Sequence, residues 1–98
     1  MSNGAYWIAR VRITDPARYS DYMALAPAAF AKYGGRIMAR GAPDLVPEGA
    51  TPERVALIGF DSMEQALACF HSSEYSAARA KREGAADVEI VIMEAVKP

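Results

Sequence analysis

Apolar side chains in this chain switch between two spacings, every second residue and every third or fourth. The order of those switches restricts the fold more than any one residue does. Ala5 to Ile13 alternate, with Trp7, Ala9, Val11 and Ile13 on one side and Tyr6, Ile8, Arg10 and Arg12 on the other, which is the period of a strand. Thr14, Asp15 and Pro16 stop it and begin a helix. Asp15 suits the capping position, and Pro16 falls where a missing N–H costs nothing. Tyr19, Tyr22, Met23, Ala26, Phe30 and Tyr33 then recur at three- and four-residue steps as one apolar stripe. Pro27 lies inside that stripe. An interior proline costs about 3 kcal/mol, which predicts a kink or two shorter helices. Gly34 and Gly35 end the element.

Arg36 to Gly41 alternates again, with Arg36, Met38 and Arg40 opposite Ile37 and Ala39. Ala42 to Pro52, rich in proline and glycine, reads as a long hairpin loop. Arg54 to Phe60 sets Val55, Leu57 and Gly59 against Ala56, Ile58 and Phe60. Ser62-x-x-Gln65 fits a capping box for a helix whose buried stripe is read as Met63, Ala66, Leu67 and Phe70. That helix breaks at His71. A second short one starts at Ser72 or Ser73 and runs to Glu83, with Lys81 and Arg82 at its negative end and Gly84 closing it. Asp87 to Val96 alternates Val88, Ile90 and Ile92 against Glu89, Val91 and Met93.

The order is β-α-β-β-α-β with the second helix broken in two, an α+β, ferredoxin-like arrangement. It predicts a four-stranded antiparallel sheet with both helical segments on one face. The other face is expected to carry Ile8, Met38, Ile58, Val91 and Met93 beside Arg10, Arg40, Arg54 and Glu89. So much apolar surface needs cover, and the same face of a second copy supplies it through a two-fold interface, so a homodimer is expected.

At 98 residues, the chain is expected to form a single domain over 1–98. A formal net charge of -1 gives no electrostatic reason for nucleic acid or an anionic membrane as partner. No apolar run reaches the roughly 20 residues that span a bilayer, and Met1 to Gly4 has no basic start before an apolar core. One cysteine, Cys69, excludes an intrachain disulfide and fits a reducing compartment, so a cytoplasmic protein is expected. With one histidine and one cysteine there is no ligand pair at metal spacing, and no glycine-rich cofactor loop is present; neither metal nor cofactor is expected.

The candidate chemistry sits around the helix break. His71 is a candidate general base, imidazole being suited to proton transfer near neutrality; its structural alternative is to help end the helix. Ser72 is a candidate ligand contact, with capping as the competing role, since no nucleophile elbow surrounds it. Tyr75, Arg79 and Arg82 share a helix face at i, i+4 and i+7 and can converge on an anion; alternatively Arg79 pairs with Glu83 on a solvated face. On the strands, Arg10, Arg40 and Arg54 need partners if buried, either Glu53 and Glu89, the second subunit, or a ligand. Tyr22 is the tyrosine expected to line a cleft between helix and sheet and to share a catalytic role with His71.

Tyr6-Trp7-Ile8-Ala9-Arg10-Val11, Thr14-Asp15-Pro16, Lys32-Tyr33-Gly34-Gly35-Arg36, Arg40-Gly41, Pro52-Glu53-Arg54, His71-Ser72-Ser73-Glu74-Tyr75 and Gly84-Ala85-Ala86-Asp87 together resemble the domain-of-unknown-function 1330 family. The resemblance runs from about Ala5 to Val96 and rests on the order and spacing of these pieces. It implies a dimeric α+β barrel, in which two ferredoxin-like subunits join their sheets. The wider superfamily includes cofactor-free monooxygenases, lactone isomerases and haem enzymes that use a pocket between sheet and helices. The functional expectation is a small organic anion bound in such a cleft, with cofactor-free oxygenation or isomerisation as its chemistry. The alternative is a non-catalytic dimer whose charges only stabilise the interface.

Overall fold

A computed structural model describes residues 4–96; the reading of Met1 to Asn3 lies outside the described residues. Strand β1 (Ala5–Ile13) leads into helix α1 (Pro16–Lys32), then β2 (Arg36–Gly41), β3 (Arg54–Phe60), α2 (Met63–Phe70), α3 (Ser73–Arg82) and β4 (Ala86–Glu94). The strands form one antiparallel sheet in the order β2-β3-β1-β4, the ferredoxin-like topology. All three helices lie on one face, and α1 packs chiefly on α3.

Local chemistry sets the boundaries. Asp15 accepts the Arg18 amide and Ser62 accepts the Gln65 amide, while Pro16 stands in the first turn of α1. At the other end of α1 the Gly34 and Gly35 amides return to the carbonyls of Ala31 and Phe30, with Gly34 at φ +80. That is a Schellman closure, which needs the left-handed residue that glycine supplies. Of the two outcomes expected at Pro27, a kink or two shorter helices, the second does not occur, and α1 runs unbroken past the proline. The proline withholds one amide from the Met23 carbonyl, but burial of Tyr22, Ala26, Ala29 and Phe30 on either side of it holds the helix together.

The inner face of the sheet is Ala5, Trp7, Ala9 and Val11 on β1, in register with Phe60, Ile58, Ala56 and Arg54 on β3. On β4 the inner residues are Ile92, Ile90, Val88 and Ala86. Trp7, 1% exposed, is the hub: its ring meets Phe30, Phe60, Phe70 and Tyr75 at centroid distances of 4.8 to 6.2 Å. In α2 the buried positions are Ala66 and Cys69, whereas Leu67, read from sequence as buried, is exposed.

Three residues expected on the outer face are on the inner one. Ile58 is directly opposite Trp7 and 1% exposed, which places Ala56 and Arg54 on the helix side with it. A bulge between Ile37 and Ala39 adds one residue to β2, so that Arg40 pairs with Ala56 and joins the inner face too. The outer face consists of Tyr6 and Ile8, Val55 and Leu57, Met38, and the half-exposed Val91 and Met93, with Arg10 opposite Glu89 and Arg12 opposite Asp87.

Candidate functional site

Between α1 and the inner face of the sheet runs a cleft. Tyr19, Tyr22, Met23, Ala26, Pro27 and Phe30 form its helix wall, and Trp7, Ala9, Val11, Ile37, Ala56, Ile58 and Val88 its floor. Arg40 and Arg54 are its only charged lining residues. The free space is narrow, about 30 Å³, roughly one water molecule. The β2 bulge that turned Arg40 inward and the register that placed Arg54 opposite Val11 are what bring two guanidinium groups to this apolar surface.

Neither arginine forms an ion pair among the described residues. Arg54 reaches the Met23 thioether at 3.9 Å, a weak acceptor. Its charge also acts on the Tyr19 phenol, whose pKa burial raises while Arg54 and Arg82 oppose the rise. Behind the cleft wall, the Tyr22 and Tyr75 hydroxyls meet at 2.9 Å. Burial, and then the neighbouring Tyr75, push the Tyr22 pKa well above the ordinary phenol value. Tyr22 therefore stays protonated in neutral solution, and either hydroxyl can be the donor in its bond to Tyr75. The Arg82 guanidinium lies over the Tyr22 ring, 5.0 Å from its centroid.

The residues singled out in the sequence do not converge on one place. Tyr22 and Arg40 line the cleft, and Tyr75, fully buried, backs Tyr22. His71 is exposed at the α2–α3 junction, its amide bonded to the Leu67 carbonyl and its ring edge-on to Phe70 at 5.3 Å. Ser72 is buried, donating to the Cys69 carbonyl at 2.6 Å and accepting the Tyr75 amide at 3.0 Å as the cap of α3, which occupies its hydroxyl. Arg79 is exposed and stacks on Phe70 at 5.0 Å. Arg10 lies on the outer face and donates to the Ala50 carbonyl at 3.1 Å.

Arg10 borders a wider basin of about 660 Å³ with Arg12, Arg82, Glu83, Asp87 and Glu89, where charges of both signs compensate each other. Glu53, expected as an arginine partner, accepts the Ile13 amide at 2.9 Å instead. Tyr19 is the cleft-lining residue that the sequence reading did not single out. Arg54 was weighed there as a ligand contact with the other strand arginines, and Arg82, which lies outside the cleft lining, was weighed with Tyr75 and Arg79. The signal for Arg54 was present, because it shares its alternation with Ala56, Ile58 and Phe60.

A model of the family described as a domain of unknown function (DUF1330) matches residues 4–96. No curated protein matches the sequence. Among solved structures, a protein of unknown function from Rhodopseudomonas palustris is 18% identical with a TM-score of 0.77, covering 100% of this chain and 86% of that one. SnoaB, a cofactor-independent oxygenase from Streptomyces nogalater, is 12% identical with a TM-score of 0.69, over 99% of this chain and 97% of that one. A dimeric ferredoxin-like protein of unknown function from Thermobifida fusca is 19% identical with a TM-score of 0.62, over 97% and 93% respectively. At these identities the likeness is one of fold.

Proposed function

The chain belongs to the DUF1330 family, and from that premise we propose that it is a homodimer that binds a small organic anion with an apolar body in the cleft between α1 and the sheet. The observation that carries this reading is the pair Arg40 and Arg54, set on an aromatic cleft without carboxylate partners among the described residues. Guanidinium groups are the side chains suited to carboxylate or enolate oxygens, and Trp7, Tyr19, Tyr22 and Phe30 suit a flat hydrocarbon. The dimer forms through the outer sheet face, where Val91, Met93 and Met38 are each about half exposed. The dimeric relative from Thermobifida fusca supports that assembly.

The reaction class that suits the cleft passes through an enolate, with the arginines holding the charge and protonated Tyr22 offering a proton. Cofactor-free oxygenation and isomerisation are of that class, and the Streptomyces nogalater oxygenase is an example within the fold. A ligand larger than water requires the walls of the cleft to part. The narrowness of the cleft is also what favours the second reading, a non-catalytic dimer, in which no small acid binds.

A thermal-shift screen with aromatic and dicarboxylic acids separates the two. A ligand at 100 times its Kd stabilises the folded protein by about 2.7 kcal/mol. The expected result is a hit that Arg54→Gln abolishes and Arg79→Gln keeps. A hit insensitive to Arg54 and Arg40 would put the ligand elsewhere, and a screen without hits would favour the second reading.

A further inference from the structure

The cluster behind the cleft wall has more hydrogen-bond donors than acceptors. Two phenols carry two O–H protons, and the contact between Tyr22 and Tyr75 uses one of them. Tyr75 is fully enclosed and Tyr22 nearly so, and the second proton has no acceptor among the described residues. Arg82 carries only donors, and its Nε is buried with no partner among the described residues. Its guanidinium lies against Tyr22 within hydrogen-bonding reach of the Tyr75 and Tyr22 hydroxyl oxygens, to which it can only donate, and its charge acts on Tyr19 as well. Two orphaned donors in one buried place cost free energy unless an acceptor joins them. The neighbouring wall is the cleft, which the Tyr19 and Tyr22 side chains line.

We propose that Arg82 and the Tyr22–Tyr75 pair form a subsite, adjoining the cleft, that takes the neutral or ionised oxygen of an enol or phenol. This deepens the reading above and rests on it. Arg40 and Arg54 receive the carboxylate, and the donor cluster receives a second oxygen. The ligand class is thereby narrowed to small arenes or enolisable acids that carry both groups. A plain carboxylic acid leaves the orphaned donors unsatisfied, and sites built to bond an oxygen discriminate strongly against analogues lacking it. Arg82 is a binding residue here, and Tyr75, acting through Tyr22, a positioning one.

The test measures 4-hydroxybenzoate against benzoate by titration calorimetry on the full chain. The hydroxylated acid is expected to bind at least about tenfold tighter, and Arg82→Gln or Tyr75→Phe to cut that ratio to about twofold or less, while Arg82→Lys keeps part of it. Benzoate affinity stays the same in Arg79→Gln and falls in Arg54→Gln. Melting curves on each variant establish that it is folded, and the wild-type ratio alone tests the subsite even if one variant is not. Equal binding of the two acids overturns the proposal and leaves the cleft reading standing, the cluster then holding only water. Failure of both acids to bind overturns the two together.

Discussion

The phenol pair offers a prediction whose sign depends on which partner is removed. Tyr22→Phe deletes one hydroxyl and leaves that of Tyr75, with the residue 0% exposed, beside Arg82, which only donates, and with no acceptor for its proton among the described residues. A buried hydroxyl stranded in this way costs about 1–3 kcal/mol. At about 4–8 °C per kcal/mol for a domain of this size, the melting temperature should fall by roughly 5–20 °C. Tyr75→Phe strands the Tyr22 hydroxyl instead. Tyr22 is 8% exposed and borders the cleft, where water can reach it, so this loss should sit near 1 kcal/mol. The ring lost from neither variant keeps Arg82 in place, since phenylalanine retains the face on which the guanidinium rests. In the double Phe variant no hydroxyl is stranded, and stability should return to within about 1 kcal/mol of the starting protein. Urea melts at one fixed protein concentration measure all four corners of the cycle, the fixed concentration removing any contribution from association. Single losses that add in the double variant would show that the two hydroxyls do not depend on each other, and the donor count behind the proposed subsite would fall with them.

Glu74 joins the start of α3 to the end of α1 by accepting from Lys32 and from the Tyr33 hydroxyl. Lys32 first, then its backbone and Tyr33 bonds, hold its pKa to about 2 against an ordinary 4.5. The folded value is the lower one, so its stabilisation is complete above about 4.5 and is lost as pH falls toward 2; Glu74→Gln should flatten the acid side of a melting-temperature profile over that window. Gly35→Ala places a Cβ 2.9 Å from the Phe60 ring and 3.0 Å from the Phe30 carbonyl, so chemical denaturation should show a loss of about 1–3 kcal/mol. Val91→Asp puts a charge on the outer sheet face at β4; sedimentation at micromolar concentration should show twice 10.6 kDa for the parent and 10.6 kDa for the variant, and a monomeric parent would refute the dimer.

The element order was readable because each periodic segment ended on residues with a mechanical reason to end it: Asp15 and Pro16, Gly34 and Gly35, Ser62, Gly84. Register was not. In β3 both alternating sets are apolar, Val55 and Leu57 on one side and Ala56, Ile58 and Phe60 on the other, so hydropathy gives no contrast by which to choose the core face. In β2 a single extra residue at the bulge turns Arg40 through the sheet, and nothing in Arg36 to Gly41 announces it. Those two ambiguities moved Ile58, Arg40 and Arg54 to the wrong face. They are also the choices that create the cleft's charge.

The helix break at His71 and Ser72 drew attention because the residue types that perform proton transfer also end and cap helices. Burial and partners separate the two roles, and here they assign His71 to the C-terminal cap of α2 and Ser72 to the N-terminal cap of α3. The case of Arg82 differs, since the sequence offered it both as part of a basic last turn and as one of a face shared with Tyr75 and Arg79. Its spacing of seven from Tyr75 puts both on one face of α3, but only the packing of α1 against α3 brings Tyr22 to that face. A site assembled from one residue of α1 and two of α3 leaves no local motif, because none of its members neighbours another from the opposite helix in the chain. What it leaves instead is an imbalance of donors over acceptors, which becomes visible only once each buried polar atom is matched with its partner.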